Sequence, residues 1–359
     1  MTIEHTIKKY AGQVGFDLCG ITTAEPFFHL EEILRKRVHA GNHSEFENLD
    51  FAKRVNPRQI SPQANSIIAL GKAYPGCEKG KGGGSGFIAR CGHGVDYHSD
   101  FHDKMNQLSY FLKAEFFLTP LAAMVDTGPL IDRAIAARAG LGWYGKNCAI
   151  ISPEYGSWIA LGQILLQEKL APDSPQKEQC ELCDRCIKAC PTGALSAPYQ
   201  VNAAICLSQL TQTKSIIPKK YRSLLGTRLY GCDTCQEVCP HNRDKNLLGT
   251  GEGEAIDLIS LLRMSKADFQ KAYGNKAFGW RGKNILQRNA IIALGNLKAT
   301  YAVDELIRIL HGPNTMLRGY SGWALGQIGS RPAKEALKFA LMTEKDLWVK
   351  QEIETALNE

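Results

Sequence analysis

The spacing of the cysteines constrains this chain more than any other feature. Two cysteine runs, each closed by a proline, flank one further cysteine, and the eight positions are Cys180, Cys183, Cys186, Cys190, Cys206, Cys232, Cys235 and Cys239. The first run has the C-x2-C-x2-C-x3-C-P spacing of bacterial ferredoxins, in which three cysteines bind one 4Fe–4S cluster and the fourth binds its neighbour. The spacing therefore predicts two adjacent 4Fe–4S clusters and a role in electron transfer.

The second run lacks a leading cysteine, and Cys206 is the natural replacement. We assign one cluster to the first three cysteines and the last one, which are Cys180, Cys183, Cys186 and Cys239. The other cluster takes the remaining four, which are Cys190, Cys206, Cys232 and Cys235. This crossing of the chain predicts that the clusters lie close together, as an electron relay requires.

Two alternatives for the cysteines are weaker. Four-thiolate zinc sites also use C-x2-C pairs, but zinc explains neither the third cysteine at this spacing nor the two prolines. Disulfides are disfavoured because no cationic-then-apolar leader opens the sequence, and we expect a cytoplasmic protein with reduced thiols. No apolar run approaches the ~20 residues that a membrane span requires.

Length and composition predict a multidomain protein, since 359 residues with 44% hydrophobic content can build more than one core. Residues 1–170 alternate helix and strand signals, which indicates an α/β domain. Residues 171–248 carry the cysteines and are expected to form a ferredoxin-like two-cluster domain. Residues 254–359 form a third, helical domain.

Within the first domain, residues 18–21, 66–70 and 158–166 have the short apolar runs of buried strands. Residues 97–115 and 129–139 are predicted helices, and Pro129 is expected in the first turn of the second one.

An internal repeat identifies the third domain. Residues 286–295 are echoed by residues 317–326, and residues 356–358 resemble a truncated third copy. Each copy predicts a helix that ends at its glycine, followed by a second amphipathic helix. Such pairs are typical of α-helical HEAT-like repeats. So few repeats are expected to need packing against the cluster domain.

Basic charge is concentrated in two stretches of this chain, whose net charge is +7. Residues 263–288 combine basic and aromatic side chains, and residues 214–228 form a second basic stretch. Such a combination suits phosphate contacts and base stacking. A solvated cationic face is an equally good interpretation of the composition alone.

Several motifs together resemble one family over nearly the whole chain. They are Val125-Asp-Thr-Gly-Pro-Leu130, Ala139-Gly-Leu-Gly-Trp143 with Gly145-Lys-Asn147, Glu154-x-Gly-Ser157, Cys190-Pro-Thr-Gly-Ala194 and Tyr230-Gly-Cys-Asp-x-Cys235. This set resembles the epoxyqueuosine reductases, which are related to reductive dehalogenases. The resemblance implies an enzyme that performs the last step of queuosine biosynthesis on tRNA, using cobalamin beside two 4Fe–4S clusters.

The resemblance also implies a cobalamin with no protein ligand at cobalt. Asp96 and His98 begin the D-x-H-x-x-G pattern of histidine-ligated corrins, but Phe101 stands where that pattern needs glycine. The implied cofactor-binding residues are Arg54, Cys91, Asp126, Asp132, Arg133, Ser152, Gly156 and Ser157.

Reduction of the epoxide to a cyclopentene consumes two electrons and two protons and releases water. The resemblance implies that Asp126 is the catalytic acid, and we expect burial to raise its pKa. An Asp at this position also suits the start of the following helix. Asp132 is the rival acid, although an Asp in a first helical turn is expected on electrostatic grounds alone.

An anticodon loop substrate gives the basic stretches a function, because a single-stranded base can be inserted into a pocket while positive charge holds the stem. The expected tRNA-binding residues are Lys214, Lys219, Lys220, Arg222, Arg281, Lys283, Arg288 and Arg318. A flavodoxin or ferredoxin is the expected electron donor, and a monomer is the expected state. The alternatives are a dehalogenase-like cobalamin enzyme acting on a small molecule and a ferredoxin-type electron carrier.

Overall fold

The structure, a computed structural model, describes residues 2–74, 76–77, 84–243, 245, 250–251 and 255–358. The chain forms two compact units. The first unit comprises Met1–Gly76, Val95–Cys206 and Asp233–Gly251, and the second comprises Cys77–Gly94, Leu207–Cys232 and Glu252–Glu359. The predicted domain boundaries at residues 170, 248 and 254 stay predictions, and the last two fall outside the described residues.

The α-helices of the described residues, in chain order, are α1 (Ile3–Gln13), α2 (Phe28–His39), α3 (Phe51–Val55), α4 (Tyr97–Phe116), α5 (Asp132–Arg138), α6 (Arg185–Ala189), α7 (Leu207–Gln212), α8 (Lys219–Arg222), α9 (Thr234–Glu237), α10 (Leu258–Arg263), α11 (Lys266–Tyr273), α12 (Lys283–Asn296), α13 (Val303–Leu310), α14 (Thr315–Ile328), α15 (Arg331–Thr343) and α16 (Leu347–Asn358). None of these helices is long and apolar enough to cross a membrane.

The strands are β1 (Leu18–Thr23), β2 (Ser66–Ala73), β3 (Gly76–Cys77), β4 (Ser85–Ile88), β5 (Pro120–Val125), β6 (Trp143–Tyr144), β7 (Ile150–Ile151), β8 (Ile159–Leu166), β9 (Leu195–Ala197), β10 (Gln200–Val201), β11 (Arg228–Tyr230), β12 (Thr250–Gly251) and β13 (Ile256–Asp257). The strands and long helices predicted for residues 1–170 are confirmed, except that α5 begins at Asp132, so Pro129 precedes the helix.

A four-stranded sheet in the order β1-β2-β8-β5 forms the centre of the first unit, and every neighbouring pair is antiparallel. Successive side chains of a strand point to opposite faces. Ile68 and Leu70 of β2 accordingly pack with α1 and α4, whereas Ile67 and Ala69 pack with α2, α3 and α5. Both faces of β2 are buried by this three-layer arrangement, which explains its continuous apolar run.

The second unit contains a small sheet in the order β11-β4-β13 and the C-terminal helices. Helices α12 and α14 are the first helices of the two predicted repeats, α13 and α15 are the second helices, and α16 is the partial third copy. The predicted HEAT-like arrangement is confirmed, and its core continues into residues 207–230. Those residues lie in the stretch predicted to belong to the cluster domain.

Two buried arginines join that stretch to the repeats inside the second unit. Arg222 donates to both carboxylate oxygens of Glu352, each at 2.8 Å, and both side chains are almost fully buried. Arg288 is completely buried and donates to the backbone carbonyls of Leu210, Thr211 and Thr213. A buried guanidinium keeps its charge, so it is stable there only with such partners.

The repeat glycines have a different function from the one predicted. Gly295 and Gly326 lie inside α12 and α14, which continue past them, so neither glycine ends its helix. A Cβ at Gly326 would lie 2.5 Å from Ala356 Cβ, and a Cβ at Gly295 would lie 3.0 Å from Ala324 Cα. Each glycine therefore lets the first helix of the next repeat approach closely.

This close approach predicts that Gly326→Ala destabilises the second unit. The new methyl group forces α14 and α16 apart, at a cost of about 1–3 kcal/mol. Gly12→Ala in α1 is the matched control, because a Cβ there meets nothing within 4 Å and alanine has the higher helix propensity. Thermal unfolding should show a lower Tm for Gly326→Ala alone. Equal Tm values for the two variants would contradict the packing interpretation.

Candidate active site

Four of the predicted cluster ligands meet in the first unit. Cys180, Cys183, Cys186 and Cys239 line one small cavity. Trp143 packs against Cys180 and Cys239, and its ring makes an edge contact with His241 at 5.0 Å between centroids. The chain thus returns from residue 239 to the first cysteine loop, as the crossed ligand assignment predicts. The donor set of four convergent thiols fits a 4Fe–4S cluster.

Backbone contacts hold the first cysteine loop in shape. The Lys146 ammonium donates to the carbonyls of Glu181 and Cys183, and the Cys183 N–H donates to the Cys180 carbonyl at 2.9 Å. Glu181 has a φ of +41°, a left-handed conformation that a compact loop needs here. The loop is therefore held both by its own backbone and by Lys146, which lies outside the cysteine motif.

Burial raises the pKa of the Cys186 thiol to about 11, and it also raises the pKa of Cys180 and Cys239. Neighbouring thiols add to this effect at Cys186, since thiolates repel one another. Such thiols ionise when a cation is present, because thiolate is the form that binds a metal.

The other predicted cluster ligands are Cys190, Cys206 and Cys235 in the first unit and Cys232 in the second. All four are half-buried, and none of the cysteines named here takes part in a disulfide within the described residues. The assignment of these four to one cluster stays a prediction.

The turn at residues 152–157 contacts the chain beside Cys239. Ser157 N–H donates to Asn242 Oδ1 at 2.7 Å, and Asn242 donates back to the Ser157 hydroxyl at 2.8 Å. Gly156 has a φ of +60°, and a Cβ there would lie 2.0 Å from Asn242 Oδ1. We predicted that Ser152, Gly156 and Ser157 approach the corrin. That call stays a prediction; the described contacts of Gly156 and Ser157 position the segment that carries Cys239, and Ser152 closes the turn by bonding to Gly156.

Two adjoining cavities of about 510 and 630 Å³ lie in the first unit, and both are lined by Arg37, Arg54 and Arg133. The first also has Asp126 and Asp132 in its wall, whereas the second is mainly apolar and includes Trp143. These volumes are typical of cofactor and substrate sites. The second cavity therefore extends to the side chain that packs against the first cluster cysteines.

Four of the predicted cofactor residues, Arg54, Asp126, Asp132 and Arg133, line the first of these cavities. Cys91 does not line either cavity and instead packs against the core of the second unit.

Asp126 is the first residue after β5 and carries a defined set of partners. The Tyr97 hydroxyl donates to its Oδ2, and His98 Nε2 lies 2.8 Å from its Oδ1. Tyr97 and His98 form the first turn of α4, which places both side chains beside the end of β5. The Asp126 side chain is 46% exposed. The expected burial of this acid against an apolar corrin face stays a prediction, and in the protein alone both carboxyl oxygens are held by hydrogen-bond partners.

His98 lies between two carboxylates. Its Nδ1 is 2.7 Å from Oδ1 of Asp96, the N-cap residue of α4, while its Nε2 contacts Asp126. Burial lowers the pKa of His98, but the hydrogen bonds and charges of Asp126 and Asp96 outweigh burial and raise it to about 9. Both ring nitrogens of His98 therefore have a carboxylate partner, and the absence of a histidine ligand at cobalt stays a prediction.

Asp132 is the first residue of α5 and differs from Asp126 in its surroundings. Burial raises the pKa of Asp132 to about 7, and the positive charges of Arg133 and Arg54 only partly oppose this. Its Oδ1 atom is shielded from solvent and has no hydrogen-bond partner among the described residues. An orphaned carboxylate oxygen in a cavity wall suits a polar ligand group.

The predicted tRNA-binding residues of the second unit differ in how deeply their side chains are buried. Lys214, Lys219 and Lys220 are exposed, and Arg281 and Lys283 are half-buried. Arg318 is paired with Glu344 at 2.7 Å. The structure contradicts the prediction for Arg222 and Arg288, because their guanidinium groups are buried and bonded within the fold.

Sequence reasoning missed Arg37 and Glu47, which form part of the cavity wall. Glu47 accepts from Arg37 at 3.0 Å and from Arg54 at 2.8 Å, so one carboxylate orients two guanidinium groups. In the sequence, Arg37 belongs to the charged run of a surface helix and gives no separate signal. Lys146 was missed for a similar reason, since its backbone contacts form only after folding.

Models of three families match the chain. A 4Fe–4S double cluster binding domain matches residues 179–242, an epoxyqueuosine reductase model (QueG, DUF1730) matches residues 54–127, and HEAT repeats match residues 283–358.

Full-length relatives carry the name of one enzyme. Epoxyqueuosine reductase of Listeria monocytogenes is 43% identical, over 98% of this chain and 96% of its own. That of Bacillus subtilis is 40% identical over 99% and 95%. A solved epoxyqueuosine reductase with an epoxyqueuosine-modified tRNA-Tyr stem loop has a TM-score of 0.95 at 40% identity, covering 99% and 98%. A Bacillus subtilis structure with the loop of a catalytic aspartate swung out of the active site has a TM-score of 0.93 at 39% identity, covering 99% and 98%.

The cysteine geometry predicts that Cys239→Ala removes one cluster and leaves the other. Anaerobically reconstituted protein should fall from about eight to about four irons per chain, because two 4Fe–4S clusters hold eight. Cys19→Ala in β1 is the control, since its thiol lies outside both cysteine runs. Iron analysis and EPR of the reduced protein provide the measurement. An unchanged iron content in Cys239→Ala would exclude this residue as a ligand.

Proposed function

Because the chain belongs to the epoxyqueuosine reductase family, we propose that it reduces epoxyqueuosine in the anticodon loop of tRNA to queuosine, with loss of water. The observation that carries this proposal is the full-length similarity to a reductase solved with an epoxyqueuosine-modified stem loop. The matching chemistry comes from the acid in the wall of one cavity, which adjoins a second cavity that reaches Trp143 beside the cluster cysteines.

The enzyme uses two 4Fe–4S clusters and cobalamin. When bound, cobalamin supplies a cobalt centre that couples single electrons from the clusters to the two-electron reduction of carbon. We place it in the two adjoining cavities. Arg54, Arg133 and Asp132 would bind its polar side chains, and the apolar wall that includes Trp143 would cover its ring. No histidine ligand is expected, since His98 is held by Asp96 and Asp126.

Asp126 is the proposed catalytic acid. It lines the cavity, and its loop position after β5 leaves the carboxyl group accessible to a base inserted from outside. Its proton would go to the epoxide oxygen as the C–O bond breaks, so that the oxygen leaves as water and not as an anion. Tyr97 and His98 hold both carboxyl oxygens in place for this transfer.

The exposed basic residues of the second unit are the proposed tRNA contacts. Lys214, Lys219 and Lys220 are grouped along one short stretch, and Arg281 and Lys283 begin the repeats. Lysine and arginine at such a surface neutralise phosphates without reading sequence. Arg222 and Arg288 are not part of this surface, because they stabilise the core beneath it.

We also infer a monomer that works in the cytoplasm with a flavodoxin or ferredoxin as electron donor. Tandem clusters accept single electrons, which such donors deliver one at a time.

Turnover under anaerobic conditions tests the function and the acid together. Reconstituted protein with cobalamin, a strong reductant and tRNA carrying epoxyqueuosine should give a product nucleoside lighter by one oxygen. Asp126→Asn should lower kcat by about 100-fold or more, because the amide cannot donate the proton. Asp132→Asn is the matched control, and a loss confined to that variant would transfer the acid role to Asp132.

Nucleoside mass analysis of the same reactions separates the alternatives. No conversion by native protein with intact clusters and bound cobalamin would overturn the proposed function and favour the dehalogenase-like reaction on a small molecule. Conversion without cobalamin would contradict the proposed chemistry.

Charge reversal tests the tRNA surface. The double variant Lys214→Glu/Lys220→Glu should bind tRNA more weakly. Its affinity should also depend less steeply on salt concentration, because up to about two phosphate contacts are lost. The control Lys334→Glu/Lys338→Glu changes two exposed lysines of α15, one helical turn apart. Binding measured across a salt series should distinguish them. Equal loss in both variants would indicate a general charge effect and contradict the assigned surface.

A further inference from the structure

The proposed reaction needs two protons, and the carboxyl group of Asp126 can supply only one of them. Each turnover consumes two electrons and two protons, and the epoxide oxygen leaves as water. Asp126 holds one proton, and once it has donated that proton it is a carboxylate. A second proton source must therefore lie within hydrogen-bond distance of Asp126 while the substrate covers the site.

His98 is such a source by position. Its Nε2 lies 2.8 Å from Asp126 Oδ1, and the other Asp126 oxygen accepts from the Tyr97 hydroxyl. The His98 Nδ1 lies 2.7 Å from Asp96 Oδ1. Once Asp126 has given up its proton, His98 lies between two carboxylates and is bonded on both sides only when both of its nitrogens donate, which requires the protonated ring. This arrangement therefore favours the protonated, charged form of His98.

The surroundings of His98 allow its proton to be replaced. Its side chain is 26% exposed, so solvent reaches the ring. The ionisable groups in contact with it are Asp96 and Tyr97 on its own helix and Asp126 on the loop after β5. Burial opposes protonation, but the two carboxylates raise the pKa of His98 to about 9, so the ring is charged at neutral pH.

We propose that Asp96 and His98 form a proton supply that recharges Asp126 during each turnover, an inference that rests on the proposed function. Asp126 gives its proton to the epoxide oxygen as the C–O bond breaks. His98 then transfers its Nε2 proton to the Asp126 carboxylate and becomes neutral, with Nδ1–H still donated to Asp96. A proton from bulk solvent then returns to Nε2, so that the two protons of each turnover come from solution. Asp96 and His98 are positioning residues, since both act through Asp126.

Asp96→Asn is the informative variant. Asparagine caps a helix as well as aspartate does, so α4 keeps its N-cap, but the negative charge that stabilises the imidazolium is lost. Asp100→Asn is the matched control, because Asp100 lies in the same first turn and pairs with Lys104 instead of His98.

The first measurement is the histidine titration of oxidised holoenzyme by NMR with 15N-labelled histidine, assigned with His98→Gln. The His98 midpoint should be near 9 in native protein and in Asp100→Asn. It should fall by at least about one unit in Asp96→Asn, since one of two carboxylate partners is lost. An unchanged midpoint in Asp96→Asn would overturn the proposal.

The second measurement is the pH profile of turnover. In Asp96→Asn, kcat should fall on the order of 10-fold near pH 9 and little near pH 6.5, while KM for the tRNA stays the same. The alkaline limb should shift with the His98 midpoint and disappear in His98→Gln. A uniform loss of kcat at all pH values would indicate a structural role only and would overturn the proton supply.

The outcomes separate this proposal from the proposed function. Absence of turnover in the native enzyme would overturn both. Turnover by a native enzyme whose alkaline limb does not follow the His98 titration would overturn the proton supply alone.

Discussion

The return of the chain from Cys239 to the loop of Cys180 is the constraint on which the site depends. Four thiols meet there around one small cavity, which requires the intervening residues to fold back, and we assign these thiols to one cluster. Trp143 fills the space beside these thiols, and the Ser157–Asn242 hydrogen bonds fix the returning segment to the sheet domain. Through Trp143 the cluster site adjoins the apolar cavity, which gives electrons a short route to the proposed cofactor.

The two acids of the cavity show how different surroundings give the same residue type different chemistry. Asp132 is shielded and has no partner at Oδ1 within the part of the chain that the structure describes, and burial raises its pKa to about 7. Asp126 is half exposed and is held by Tyr97 and His98. The sequence-based expectation was burial of this acid against the corrin, and the structure adds an imidazole within hydrogen-bond distance of it. This contact is the one through which the proposed proton supply would reach Asp126.

The charge pattern of the sequence shows where the basic residues are concentrated. It does not show which of them are exposed and which are buried in the core. Arg222 and Lys220 belong to the same basic stretch, yet one is buried against Glu352 and the other is exposed. Arg288 similarly binds backbone carbonyls of residues 210–213. A long cationic side chain can cover a surface or support a core, and only its partners decide between these uses.

The sequence by itself determined the cluster ligands' spacing, the repeats, the buried strands and the position of Asp126, because each depends on local periodicity or on a motif. Tertiary structure alone decided what lies next to what. It placed His98 between Asp96 and Asp126, gave Arg37, Glu47 and Lys146 their functions, and turned Gly295 and Gly326 from predicted helix ends into close helix contacts. The physical reason is that burial and hydrogen-bond partners come from residues distant in sequence, and local pattern contains no information about them.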